Sequence, residues 1–416
     1  MWAMANKKHI SQGAVAAIIL AIVLVTRMGG NILIPSIPSI AGEFGIDNAR
    51  ATLNINLYSI VLALSFAFFG PITDVVKSRT LLLVGSVLCA FSHLICGLAV
   101  NIIMIDLGRV LLAAGSSLII ITSQTWIGNR SGKENLLSRL AWFSMLVSLA
   151  PMLAPVLGGY ITDHFSWRWN FRLMLILSLA VVFVIIFIKS RKDNQQSKET
   201  PLNPINLIKT YKDVILHTPL IAISSMVFTL FFLQGAFMAF SSFLIIDEMG
   251  YSAVQYGFVS LFLVGGLFLG RIPTIFLAKR FSIRTVMLIN TTLVLIALGG
   301  SLLFFAVEKH HTVIEIVALM TLMCFGFSGL SVLSVRNNML IDPARKGTLS
   351  GLYSFLCHTS GWLGIMITQI FFHFKLSSIS VYNHFLVLSI GLIAIGLVVF
   401  WVTYPRVKTV LENESK

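Results

Sequence analysis

The sequence predicts an all-α membrane protein of twelve transmembrane helices arranged as two pseudo-symmetric six-helix halves. Three observations carry that expectation: an extreme apolar composition, a one-sided distribution of Lys and Arg, and an internal echo near the halfway point. Apolar residues make up 57% of the 416 residues and charged residues only 11%, against about a quarter charged in ordinary soluble domains. Mean hydropathy is +0.91, so lipid is the solvent for most of the chain.

A helix crossing the hydrocarbon needs about 20 mostly apolar residues. Runs of that kind fall at 14–36, 52–72, 80–100, 103–126, 138–161, 170–189, 218–246, 254–278, 284–306, 313–335, 348–372 and 382–404. The first run follows Lys7 and Lys8 as a signal peptide would. No small-residue cleavage site precedes Arg27, however, and the run continues through Ile37, so an uncleaved first span is expected. Translocating Lys and Arg is disfavoured, which makes their placement an orientation signal. With a cytoplasmic N-terminus, 22 of the 30 Lys and Arg fall on that side, 5 on the other, and Arg27, Arg109 and Arg271 fall inside spans. Both termini are therefore expected in the cytoplasm.

The longest polar segment, Lys189 to His217, reads as a linker between halves. The expected division is an N-terminal half over 1–189, a linker over 190–217, a C-terminal half over 218–404 and a tail over 405–416. Ser78-Arg79-Thr80-Leu81-Leu82-Leu83 after span two is echoed by Ile283-Arg284-Thr285-Val286-Met287-Leu288 after span eight, an offset of 205 residues. Duplicated halves with a site between them are what a rocking carrier requires.

Several classes are excluded. The net charge of +14 would point to nucleic acid in a soluble protein. Here the basic residues lie in short loops between apolar runs, as topology signals and contacts to anionic lipid headgroups. Cys89, Cys96, Cys324 and Cys357 lie inside apolar runs without CxxC spacing, so neither a disulfide framework nor a zinc site is implied. His-Glu-x-x-His and Gly-x-Ser-x-Gly are absent, and Gly128-Asn129-Arg130-Ser131-Gly132-Lys133 is one residue short of a P-loop. No cofactor or metal is expected, and the expected partners are a small-molecule substrate, the lipid bilayer and protons. A monomeric carrier is the simplest unit.

Four motifs stand out. Gly70-Pro71-Ile72-Thr73-Asp74-Val75-Val76-Lys77-Ser78-Arg79 joins spans two and three. Gly70 permits close helix approach, and Asp74 can pair with a base or cap a neighbouring helix N-terminus and latch one conformation. Arg109-Val110-Leu111-Leu112-Ala113-Ala114-Gly115 lies in span four, with Asp106 one turn earlier. Span five contains Ala150-Pro151-Met152-Leu153-Ala154-Pro155-Val156-Leu157-Gly158-Gly159, followed by Ser166-Trp167-Arg168-Trp169-Asn170-Phe171. Pro151 and Pro155 remove backbone hydrogen bonds and favour a kink, and the small residues let another helix pack closely, a combination suited to a gate. The fourth comprises Phe243 to Ser252, Gln255-Tyr256-Gly257, and Gly347-Thr348-Leu349-Ser350-Gly351.

Together these resemble the major facilitator superfamily, and specifically its bicyclomycin-resistance branch of drug:proton antiporters. Lys77 and Ser78 depart from the signature loop, where Gly and Arg are usual. The resemblance implies a gating role for Asp74, Arg79, Pro151, Pro155, Gly158 and Gly159. It also implies a role for Arg109 in proton coupling or in holding the substrate cavity, while the residues themselves equally allow a local Arg109–Asp106 ion pair. Members of the branch carry an Asp in span one where this chain has Asn31, which cannot titrate. The resemblance implies efflux of a small organic compound, such as a drug or a carboxylate siderophore; uptake of a similar anion, or a channel or receptor without carrier activity, are the alternatives.

Ionisable groups near the bilayer centre are costly and are functional candidates by default. Arg27 lies about 15 Å from either surface, too deep to snorkel readily. It is either paired with another helix or free to bind an anionic substrate group, which a guanidinium can do in a bidentate way. His358, near the centre of span eleven, is a candidate proton carrier, since its intrinsic pKa of about 6.5 lies in the working range; a neutral packing histidine is the other reading. Asp106 and Glu315 lie nearer the outer ends and are further candidates for coupling. Asn31, Gln124 and Gln234 are further candidates for substrate contact, and Asn54, Asn56, Tyr58, Trp126 and Gln369 read mainly as interhelical hydrogen bonds.

Overall fold

The computed structural model describes residues 12–46, 48–187, 227–237, 245, 249–251, 253–307, 312–373, 387, 391–396, 398 and 402. The linker, the tail, most of the hairpin after Phe243 and most of the twelfth span lie outside the described residues.

Every run predicted as a span and described here is helical. α1 covers Gln12–Asn31. A 3-10 turn at Ile34–Ser36 leads into α2, Ile37–Phe44, so the first membrane segment extends to Phe44 rather than ending near residue 36. Pro35 and Pro38 cause the interruption, because neither can donate a backbone hydrogen bond. Gly45 then ends α2 in the left-handed region, φ 61°, a conformation glycine adopts without a Cβ clash.

α3 (Asn48–Val75), α4 (Ser78–Gly97), α5 (Ile102–Arg130), α6 (Lys133–His164) and α7 (Trp167–Phe187) follow through short connections. α8 covers Val227–Phe237. The eighth predicted span is two helices, α9 (Ala253–Leu269) and α10 (Arg271–Arg280). Pro273 explains the break, since it leaves the Leu269 carbonyl without its i+4 donor. α11 (Ile283–Val307), α12 (Val313–Ile341) and α13 (Lys346–His373) complete the described helices. Glu315, read above as a possible coupling carboxylate, closes a capping box with Thr312 at the start of α12. Among the described residues, nine segments are long and apolar enough to cross a membrane.

α1 packs on α5 and α6, α4 on α5 and α7, and α3 on α5, giving one group of helices. α9 and α11 pack on α12, and α12 on α13, giving a second. Two seams join the groups: α3 and α5 against α13, and α6 against α9, α10 and α12. One end of the bundle carries Lys77, Arg79, Arg130, Lys133, Lys279, Arg280, Arg345 and Lys346, and is called the basic end below.

Candidate functional site

The seam between α3 and α13 is built on glycine. A Cβ on Gly70 would lie 2.9 Å from the Gly347 carbonyl oxygen and 3.0 Å from the Gly351 Cα. Only glycines let the two backbones come this close. The first and last of the four motifs meet here, although 276 residues separate Asp74 from Ser350. Asp74 accepts hydrogen bonds from the Gly347 N–H (2.7 Å), the Thr348 N–H (2.8 Å) and the Thr348 hydroxyl (2.7 Å). It thus caps the N-terminus of α13, where orphan N–H groups and the helix dipole favour an anion. Lys346 Nζ crosses the same seam to the Gly128 carbonyl at 2.7 Å. Arg79 turns elsewhere: its guanidinium donates to the Ile185 and Ile186 carbonyls at the end of α7, within its own helix group.

At mid-depth, His358 is stacked obliquely between the two groups, its ring 4.9 Å from Phe66 of α3 and 5.9 Å from Phe231 of α8. Its Nδ1 lies 2.8 Å from the Ser354 carbonyl. A carbonyl only accepts, so Nδ1 carries the hydrogen and Nε2 is the basic nitrogen. The Arg27 charge acts on this imidazole. Arg27 is half-buried, and its Nε is buried without a hydrogen-bond partner. Asn31 donates to the Arg27 carbonyl at 2.9 Å. Gln124 and Gln234 are likewise half-buried, and the Gln124 Oε1 is buried without a partner.

Arg109 is 1% exposed. Its Nη1 donates to the Gly30 carbonyl at 3.0 Å, and its guanidinium lies 4.2 Å over the Tyr58 ring. Asp106 instead pairs with Arg50 at 2.5 Å, so the local Arg109–Asp106 pair is not what the structure forms. Arg109 therefore ties α5 to α1 and α3 one residue from Asn31, through a carbonyl and a cation–π contact.

The span-five motif packs on the broken first segment. A Cβ on Gly158 would run into the Ile32 carbonyl oxygen, and one on Gly159 would lie 3.7 Å from Pro35. Asn170 Nδ2 donates to Ser36 Oγ (3.0 Å), the Gly158 carbonyl (3.1 Å) and Thr162 Oγ1 (2.9 Å), holding the 3-10 turn to α6. The Trp-Arg pair that follows grips Glu43: Arg168 at 2.6 Å and Trp167 Nε1 at 2.7 Å. Pro151 and Pro155 lie within α6, which runs without interruption from Lys133 to His164. Gly158→Ala is expected to lower the melting temperature and disturb the α1–α6 packing, at a cost of about 1–3 kcal/mol for overpacking; thermal unfolding of the purified protein measures it.

The sequence profile of the Major Facilitator Superfamily matches residues 19–365. This chain belongs to that superfamily. The major facilitator fold supplies twelve helices in two halves, and the two helix groups joined at the seams above are those halves. The chain is 24% identical over 394 residues to the chloramphenicol resistance protein CraA of Acinetobacter baumannii, spanning 94% of this chain and 91% of that protein. It is 28% identical over 202 residues to the multidrug export protein EmrB of Haemophilus influenzae, covering 48% of this chain and 39% of that one. The riboflavin transporter RibZ of Clostridioides difficile is 24% identical over 195 residues, covering 47% and 43%. Among solved structures, a bacterial homologue of the iron transporter ferroportin in an outward-facing state superposes with a TM-score of 0.75 at 17% identity, covering 93% of this chain and 98% of that one. The protein is a multi-span membrane transporter with drug-efflux relatives.

Some contributors carried no signal in the sequence. His93 of α4 is buried against Gly29, with Nδ1 3.1 Å from Ser178 Oγ, and nothing in its apolar run marked it. Lys346 read as one more topology charge, yet it bridges the halves. Arg271 stood out only as a charge inside a span.

Proposed function

We propose that this transporter exports a small organic anion by alternating access, with the substrate's negative group held by Arg27. The observation that carries the reading is the charge inventory of the spans. Measured along the membrane segments, every Asp and Glu described in them lies within five residues of a segment end: Glu43, Asp74, Asp106, Glu134, Asp163 and Glu315. Deeper positions hold guanidinium and imidazole groups instead, from Arg27, Arg109, Arg271 and His358. A cationic drug would meet no compensating carboxylate there, whereas an anion meets Arg27 with a buried, unpartnered Nε. Gln124, Gln234 and Asn31 offer hydrogen bonds around it.

The inter-half bonds described among these residues lie between mid-depth and the basic end, which fits a state closed on that side. With the basic end cytoplasmic, as the Lys and Arg distribution supports, the closed side faces the cytoplasm and the substrate space faces outward. Both termini are then cytoplasmic, in the inner membrane of a bacterium, and the halves divide at the 190–217 linker. Asp74, backed by the Gly70 and Gly351 contact, acts as the latch of this state. The Pro151 and Pro155 helix, wedged by Gly158 and Gly159 on the first segment, is the element that must shift for the outer side to close.

Proton coupling falls to His358, because Asn31 cannot titrate and the imidazole lies between the two halves, where the Arg27 charge acts on it, with Nε2 free to take a proton. Asp106, held by Arg50, and Arg109 keep the first half rigid around that step. A uniporter or an uptake carrier would share this arrangement without needing the imidazole. His358→Gln keeps size and donors but not basicity; export is expected to persist downhill and to lose its dependence on an imposed pH gradient. Proteoliposomes with a pH jump check this, and an unchanged pH dependence in the variant removes His358 from the coupling.

A further inference from the structure

Arg271 is given no role of its own in the reading above, and unlike Arg109 it has no backbone carbonyl partner among the described residues. It is 8% exposed and lies about 14 Å from the basic end, nine residues before Arg280 at the helical rise. Its Nη1 donates to Ser148 Oγ of α6 at 2.7 Å, across the seam between the halves. That hydroxyl gives its own hydrogen to the Ser144 carbonyl at 2.9 Å, so its lone pair faces the guanidinium. The Arg271 Nε is buried without a partner. Among the described residues, no carboxylate pairs with Arg271. Tyr353 of α13 is within electrostatic reach, and its hydroxyl is given to the Ser331 carbonyl at 3.2 Å.

A guanidinium inside a membrane protein pairs with an acid or with backbone carbonyls, as Arg109 does with Gly30, and a lone side-chain hydroxyl repays less of its desolvation. Only Gly270 separates α9 from α10 here, with helical dihedrals (φ −64°, ψ −18°) and its bond to the Gly266 carbonyl kept, so one span carries Arg271 across the bundle. The Ser148 contact spans the α6–α10 seam, which must part when the basic end opens. Opening therefore breaks the Arg271–Ser148 hydrogen bond and turns the Arg271 side chain toward the space that appears.

We infer that Arg271 is the first anion contact on the basic side, binding the substrate's negative group when that end is open and exchanging it for Ser148 when it closes. The inference rests on the anionic-substrate reading and adds a second, state-dependent site to it: a carboxylate or similar oxyanion is met by Arg271 on entering and by Arg27 once the basic end has shut. Ser148 then acts as a placeholder that keeps the guanidinium satisfied while the anion is elsewhere.

The test is arginine labelling with phenylglyoxal on the full chain in phosphatidylcholine nanodiscs, read by peptide mass spectrometry. Samples are the wild type and two variants that weaken the basic-end seam, Asp74→Asn and Lys346→Ala, each with and without acetate, benzoate and citrate. Arg271 should label slowly in the wild type, where exposed Arg280 labels readily, and about tenfold faster in both variants as the open population rises. At least one of the carboxylates should restore slow labelling of Arg271 in the variants. Arg271 remaining unlabelled in both variants, or labelling equally with and without all three carboxylates, overturns the inference. Protection by added phosphatidylglycerol with none by the carboxylates also overturns it, assigning the site to lipid headgroups. Arg27 is read in the same wild-type samples: its protection without protection of Arg271 sinks only this second site. Loss of protection at both removes the anionic substrate as well.

Discussion

Replacing Asp74 with alanine is expected to open the basic end. The side chain accepts three hydrogen bonds from the first two residues after Lys346, all of them charge-assisted and directed at a helix N-terminus. A hydrogen bond to a charged group contributes roughly 1.5–3 kcal/mol. The three share one carboxylate and are not additive, so the loss is set near the value for one to two such bonds. Even the value for one shifts the equilibrium between basic-end-closed and basic-end-open forms by about 10- to 150-fold. Close packing at Gly70 and Gly351 remains and keeps the closed form accessible, which is why a shift rather than unfolding is expected. Spin labels at Lys77 and Ala344, both exposed, report it: a single short distance in the wild type should give way to a population at longer distance. A distribution unchanged in Asp74→Ala would mean that the glycine contact alone holds the seam.

Arg27→Ala is expected to abolish transport while leaving membrane insertion and thermal stability nearly intact. The stability half follows from the structure, because the Arg27 side chain has no hydrogen bond or ion pair among the described residues; Asn31 uses only its backbone carbonyl. Removing a buried and unpaired nitrogen relieves a cost rather than breaking a contact. The transport half follows from the proposed role of Arg27 as the contact for the substrate's negative group, which alanine cannot supply. Arg27→Lys keeps the charge but not the two-pronged geometry and should retain a reduced rate. A strongly destabilised Arg27→Ala protein would instead make the residue a structural partner of a helix outside the described set.

The fold was legible because its signals are additive along the chain. Apolar runs of about 20 residues and one-sided basic loops survive any local irregularity. What hydropathy missed was local backbone chemistry. The first segment breaks at Pro35 and Pro38 and continues to Phe44, and the eighth splits at Gly270 before Pro273; both breaks lie inside uniformly apolar stretches where a window average sees nothing. The site was legible in part. Gly70, Asp74 and the Gly347 to Gly351 stretch were each visible, but that they touch is a fact of the pairing of halves, which one sequence does not encode in spacing. Arg109 shows the opposite failure: proximity along the helix suggested Asp106, and the structure gives Asp106 to Arg50 from another helix. Lys346 and Ser148 could not be singled out, since a lysine at a cytoplasmic loop and a serine in a span are ordinary in such places.

The claim that matters most is that the solute is an anion held by Arg27. It is tested most directly by comparing producing cells that carry the wild type, Arg27→Ala or no transporter, and measuring by mass spectrometry which small molecules leave the cell and which stay inside. The account predicts one or more organic acids that appear in the medium only with the wild type and accumulate inside with Arg27→Ala as they do without the transporter. Release confined to neutral or cationic compounds, or release of acids that Arg27→Ala leaves unchanged, would contradict it.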